Sequence, residues 1–178
     1  MFKRIVVGFD GSEHARKALD IASDLAKTHR ATLLIVHALS DAPLSKAERL
    51  MAETEYGMKG LEEHSPVTLI KYAEQDPRLP FTIARDLPSD ASAKVRTEIA
   101  QALLQDARQS ALRQGVESVE VRVETGDSAR IILDLAKSEK ADLIVIGSRG
   151  LSDLEGLVFG STSHRVTHLA PCSCLTVS

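Results

Sequence analysis

Asp142-Leu143-Ile144-Val145-Ile146-Gly147-Ser148-Arg149-Gly150, followed after nine residues by Gly160-Ser161-Thr162-Ser163, decides how this chain is read. Residues 142–146 form an apolar run of the kind shown by a parallel strand buried on both faces. Residues 163–169 have helical spacing and stop before Pro171. A strand end and a helix start are therefore joined through glycines. Glycine lets the backbone approach a ligand closely, and a helix N-terminus supplies unpaired N–H groups and a positive dipole end. The combination reads as an anion cradle suited to phosphate.

Outward from that stretch, strands and helices alternate. Ile5-Val6-Val7-Gly8-Phe9 is a short apolar strand, broken by Asp10-Gly11-Ser12. Ser12 reads as the N-cap of a helix whose Ala15, Ala18, Leu19, Ala22, Leu25 and Ala26 share a face. A second strand, residues 32–38, completes a βαβ unit, which implies parallel pairing. Residues 94–114 form a helix with Val95, Ile99, Ala102 and Leu103 inward and Gly115 closing it. In residues 116–124, Val119, Val121 and Val123 alternate with Glu120, Arg122 and Glu124, the pattern of a half-buried strand at a sheet edge. Ser128 is the expected cap of the next helix, and residues 173–177 form the last strand. The order predicts an α/β fold: an open five-stranded parallel sheet with helices on both faces.

The middle of the chain departs from this regularity. Five of its six prolines, Pro43, Pro66, Pro77, Pro80 and Pro88, fall between residues 39 and 93. Residues 46–61 read as an amphipathic helix, 67–72 as a short extended piece and 77–88 as irregular. So long a connection is either an elaborated flap or a partly mobile insertion, with mobility expected around residues 74–90. The expected organisation is one domain, residues 1–178, with an insertion or flap at about 40–93.

Composition narrows the function classes. A net charge of −3 gives no polycationic footprint for nucleic acid, and 3% aromatic content argues against stacking platforms. No apolar run approaches a membrane span, and Met1–Gly8 reads as a strand instead of a signal peptide. The expectations are a cytoplasmic protein with no nucleic-acid or membrane partner. Cys172 and Cys174 then read as reduced thiols on one face of the last strand, with a metal or redox role disfavoured.

In an open parallel sheet, ligands sit beyond the strand C-termini where the strand order reverses. If the first and fourth strands are neighbours there, Asp10 and the Gly147–Gly150 loop face one crevice. A carboxylate takes a ribose hydroxyl pair, main-chain N–H groups take phosphates, and a purine lies near the backbone of Ala38.

These residues resemble the universal stress protein family. The likeness rests on G-x-x-G, nine residues, then G-[ST], here Gly147, Gly150, Gly160 and Ser161. Asp10 after the first strand, Ser163-His164-Arg165-Val166 and Ala170-Pro171-Cys172 reinforce it, over residues 1–39 and 94–178. The resemblance implies a Rossmann-like, adenine-nucleotide α-hydrolase-like sheet. It also implies the ATP-binding branch, with Asp10 at the ribose and Ala38 at the adenine. Gly147, Gly150, Gly160, Ser161 and Thr162 would hold the phosphates of ATP, ADP or AMP, with Mg²⁺. It further implies a stress-response role, weak ATPase activity at most, and a homodimer through the last strand. The apolar edge Leu175-Thr176-Val177 agrees with that pairing. Asp153 and Glu155, where the family commonly carries lysine or neutral residues, would repel phosphates unless a divalent cation intervenes. Arg149 offsets them and is a further candidate phosphate contact.

Two other classes stand beside this one. A nucleotide-free dimeric scaffold would follow if the two carboxylates defeat phosphate binding. An adenylating ATP pyrophosphatase would want an S-G-G-x-D-S loop after the first strand, and Gly8-Phe9-Asp10-Gly11-Ser12 lacks the paired glycines. No G-K-[ST] makes a Walker A loop. His37 reads as a strand-end histidine satisfied by the backbone ahead of a catalytic base. His164 and His168, at i, i+4, read as surface or core histidines ahead of a metal pair, since no third ligand is evident. Ser161 reads as an N-cap and phosphate contact with no nucleophile constellation around it.

Overall fold

The computed structural model describes residues 1–39, 89–150 and 160–178, for 89–99 and 102 the backbone alone. The helix expected over 46–61, the extended piece over 67–72, the irregular run over 77–88, and Asp153 and Glu155 all lie outside the described residues. The elements are β1 (Arg4–Gly8), α1 (Glu13–His29), β2 (Thr32–Leu39), α2 (Ser89–Arg113), β3 (Ser118–Thr125), α3 (Ser128–Ser138), β4 (Leu143–Gly147), α4 (Ser161–Leu169) and β5 (Ser173–Val177).

The five strands form one sheet in the order β3-β2-β1-β4-β5, every pair parallel. The order reverses between β1 and β4, which pair from Ile5 against Leu143 to Gly8 against Ile146. The carboxyl ends of these two strands therefore open the switch-point crevice expected of such a sheet. β3 and β5 are the edges, β3 as its alternating pattern indicated.

The central strands are apolar throughout because both faces are covered. Ile5, Val7, Leu33, Ile35 and Val145 pack with α1 residues Ala15, Ala18, Leu19, Ala22 and Ala26 and with Leu104 and Ala107 of α2. Val6, Leu34, Val36, Ile144 and Ile146 pack on the other face with Ala129, Ile132 and Ala136 of α3 and Val166 of α4. At about 25 cal/mol per Å² of apolar area, these two layers are the main source of stability.

Local signals explain the element ends. Ser12 accepts a hydrogen bond from the Ala15 N–H at 3.2 Å and starts α1, while Arg30, at φ 53°, closes it. Gly115, at φ 96°, turns the chain out of α2. The cap of α3 is Asp127, not Ser128: its carboxylate accepts from the Arg130 N–H at 2.9 Å, and Ser128 is the first helical residue. An ionised carboxylate is the stronger partner for a helix N-terminus. Likewise α4 starts at Ser161, two residues before the expected start. Its N-cap is Gly160, with no side-chain capping bond, so the N-cap role expected of Ser161 is not observed.

The amino end of the sheet is closed by charge. Arg4 Nη2 lies 2.7 Å from Glu120 Oε2 and 2.7 Å from Glu139 Oε2. Asp142 Oδ2 accepts from the Lys3 N–H at 2.6 Å and the Arg4 N–H at 2.9 Å. Those two main-chain bonds hold the Asp142 carboxyl below the ordinary range.

Candidate functional site

The crevice is built first by the turn after β1. Asp10 Oδ1 accepts from the Ser12 N–H at 3.0 Å, an Asx turn that orients the carboxylate. Its other oxygen lies toward the loop after β4: a Cβ added at Gly150 would come within 2.7 Å of Asp10 Oδ2. Asp10 and Gly150 are 140 residues apart in the chain, yet a Cβ at position 150 would push the carboxylate aside.

Asp10 is also steadied from β2. The Phe9 N–H donates to the Val36 carbonyl at 2.8 Å. His37 Nδ1 donates to the Phe9 carbonyl at 2.7 Å. Because a carbonyl only accepts, Nδ1 carries the proton. Burial lowers the His37 pKa, outweighing the opposing Phe9 hydrogen bond and the nearby Asp10 charge. The imidazole is thus a neutral clamp on the peptide that precedes Asp10, the backbone-satisfied role expected for it. Ala38, half-buried, follows at the end of β2 in register with Glu124 of β3.

The glycines of the β4 loop are not equivalent. At Gly147 an added Cβ would meet His14 C and Cβ at 2.9 Å and Ala15 N at 3.0 Å. Its smallness lets the end of β4 pack against the first turn of α1. Gly150 is the one that meets Asp10. Arg149 between them is exposed.

Ser148 joins the parts. It is buried, and its N–H donates to the Val177 carbonyl of β5 at 2.6 Å. Its carbonyl accepts from the Gly160 N–H at 2.7 Å and from Ser163 Oγ at 2.7 Å. Its hydroxyl shares a 2.9 Å hydrogen bond with His14 Nδ1. The Gly160 N–H is therefore already committed, and the Gly160 carbonyl accepts the first α4 bond, from His164 N at 3.0 Å. The N–H groups of Ser161, Thr162 and Ser163 have no intrahelical acceptor, and they lie at the positive end of the α4 dipole.

The structure thus brings Asp10 to Gly150, and Gly160, Ser161 and Thr162 to the end of β4. Ala38 stands at the end of β2, two strands away from β4. His14, Ser148 and Ser163 were not singled out from sequence. The His14–Ser148 bond spans 134 positions between two ordinary polar residues, and no local spacing announces it.

His164 and His168 are exposed and stack edge to face at 4.8 Å. Among the described residues no group of three or more His, Cys, Asp or Glu is placed to hold a metal ion. Cys172 and Cys174 are free and pack on the α4 face together, as their spacing indicated. Burial pushes both thiols up, which keeps them protonated. Among the described residues no helix is long and apolar enough to cross a membrane.

Comparison with known proteins gives a consistent answer. The model of the universal stress protein family matches residues 1–178, a span that includes the proline-rich middle. A universal stress protein of Thermus aquaticus is 34% identical over 177 residues, covering 99% of each chain. The universal stress protein YxiE of Bacillus subtilis is 31% identical over 180 residues, again covering 99% of each. A crystal structure of a universal stress protein in complex with cAMP superposes with a TM-score of 0.60 at 26% identity, over 99% of this chain and 97% of that one.

Proposed function

The chain belongs to the universal stress protein family, and from that premise we propose that it binds an adenine nucleotide at the carboxyl end of its sheet as a regulatory ligand in the stress response. Asp10 accepts the ribose hydroxyls. The main chain at Ala38 reads the adenine edge. The Gly147–Gly150 loop and the N–H groups of Ser161 and Thr162 cradle the phosphates, Gly160 serves as the N-cap that starts the helix, and Arg149 adds a cation. The phosphates carry Mg²⁺. The ligand acts as a switch, with slow hydrolysis at most. The protein is a single domain over residues 1–178, with the insertion at about 40–93, and works in the cytoplasm. It forms a homodimer through β5, an edge strand whose Leu175 is 37% exposed.

One observation carries this reading. The Asp10 carboxylate and the Gly150 backbone meet so closely that a single Cβ would fill the gap, and they do so beside a helix N-terminus with unspent donors. The likeness to a family member bound to cAMP supports the choice of an adenine nucleotide.

The test is a titration of the purified protein with a fluorescent ATP analogue and Mg²⁺, beside a Gly160→Val variant. Saturable binding by the parent and at least tenfold weaker binding by the variant are expected. No binding by the parent contradicts the proposal and leaves the nucleotide-free dimeric scaffold as the reading; equal binding by both contradicts the placement of the phosphates at the start of α4. Steady ATP turnover at roughly tens per second would replace the switch with an enzyme.

A further inference from the structure

We propose that His14 and Ser148 are positioning residues of the phosphate cradle, acting as one hydrogen-bonded unit; the inference rests on the nucleotide reading above and deepens it. The unit touches three elements at once. His14 sits in the first turn of α1, two residues after the Ser12 cap. Its Nδ1 lies 2.9 Å from Ser148 Oγ. The Ser148 carbonyl holds the start of α4 through Gly160 N and Ser163 Oγ, both at 2.7 Å. The Ser148 N–H holds the end of β5 through the Val177 carbonyl.

The orphan donors of Ser161 and Thr162 bind an anion well only if their direction is set before the ligand arrives. The N-cap of α4 is a glycine with no side-chain capping bond, and the local tie at its entry is the Ser163 hydroxyl on the Gly160 carbonyl at 3.0 Å, so a bond from outside the helix has to anchor the pair to the sheet. The Ser148 carbonyl replaces the missing cap, binding the N-cap N–H and the N3 hydroxyl together. That carbonyl points correctly only while the Ser148 peptide is held, and the buried hydroxyl on His14 is its side-chain anchor. Gly147 completes the device: the absent Cβ is what allows the end of β4 to lie within contact of the His14 backbone. A buried polar chain of this kind is rigid when every member is satisfied and loose when one is removed.

Neither residue needs to touch the ligand, so the signature is indirect. In nucleotide titrations, Ser148→Ala and His14→Leu should each weaken binding about five- to tenfold, as expected for the loss of one aligned hydrogen bond. The double variant should be no weaker than the weaker single, because both remove the same bond. His14→Asn, whose amide offers a donor and an acceptor near the Nδ1 position, should recover most of the loss. Additive losses, no recovery by asparagine, or parent-like affinity in both single variants would overturn the proposal.

Amide hydrogen exchange on the ligand-free protein gives an independent readout. His14→Leu should speed exchange at Gly160 while the amides of β3 stay at parent rates. Unchanged exchange at Gly160 overturns the positioning role. A parent that binds no nucleotide would sink the functional reading, and the Gly160 exchange rates would then decide the positioning claim alone.

Discussion

The two ends of the same sheet are finished by different chemistry. At the amino end, Arg4 bridges Glu120 and Glu139, and Asp142 takes the N–H groups of Lys3 and Arg4. The charged groups there are partnered within the fold. At the carboxyl end the finishing groups are glycines, hydroxyls and main-chain donors: Gly150 against Asp10, Ser148 against His14 and Gly160, and the open start of α4. The central strands β2, β1 and β4 are buried along most of their length, so the core does not distinguish the ends. What differs is whether the polar groups are spent on each other or left to meet something else. A structural cap uses matched side chains, whereas a ligand site keeps backbone donors unspent and uses glycine to let the ligand in.

Breaking the contrast at its most crowded point should have the largest effect. Gly147→Val would drive a Cβ against the His14 and Ala15 backbone, which has little room to give. A loss of about 3 kcal/mol is expected, measured by urea denaturation. A stability equal to the parent's would mean that Gly147 is there for a ligand and not for packing.

The clamp beneath Asp10 can be read through pH. Burial holds the His37 pKa below its ordinary value. The unfolded chain takes a proton near pH 6.5 that the folded chain refuses, so the unfolded state binds more protons in that window. Stability is therefore full above about pH 6.5 and falls as pH drops toward the lowered folded value. His37→Asn keeps a donor for the Phe9 carbonyl and removes the titration. Its denaturation midpoint should fall less than the parent's between pH 7.5 and 5.5; equal falls would place the titration elsewhere.

At the amino end, Arg4→Met removes both ion pairs, each partly exposed to solvent. A cost on the order of 1 kcal/mol is expected, with nucleotide affinity unchanged. A matching loss of affinity would show that the two ends are not independent. The smallest effect is expected at Ser23, whose buried hydroxyl has no partner among the described residues. Ser23→Ala should raise stability by about 0.5–1 kcal/mol in thermal denaturation, since alanine is the better helix former and leaves no unpaired oxygen.

Much of this architecture was legible because it rests on periodicity. The βαβ start, the apolar run of β4 and the alternation of β3 each bury a predictable face; that β1 lies beside β4 stood only as a condition in the sequence and is supplied by the sheet order. The caps were less legible where two competent residues stand side by side. Asp127 displaces Ser128 because its charge binds the helix end more strongly, and Gly160 displaces Ser161 because the Ser148 carbonyl supplies the anchor from another element. The role of each glycine was not legible at all. Gly147 and Gly150 sit three residues apart in one motif, yet one makes room for a helix and the other for a carboxylate. Only the fold says which neighbour each one faces. The same holds for His14 and Ser148, whose pairing needs α1 and β4 already packed.

The most direct test of the contrast between the two ends is an amide chemical-shift titration of the labelled protein with ATP and Mg²⁺. The account predicts saturable shifts confined to the carboxyl end, at Asp10, Gly11, Ala38, Gly150, Ser161 and Thr162, while Lys3, Arg4, Glu139 and Asp142 stay in place. Shifts centred on the amino end, or none at millimolar nucleotide, would contradict it.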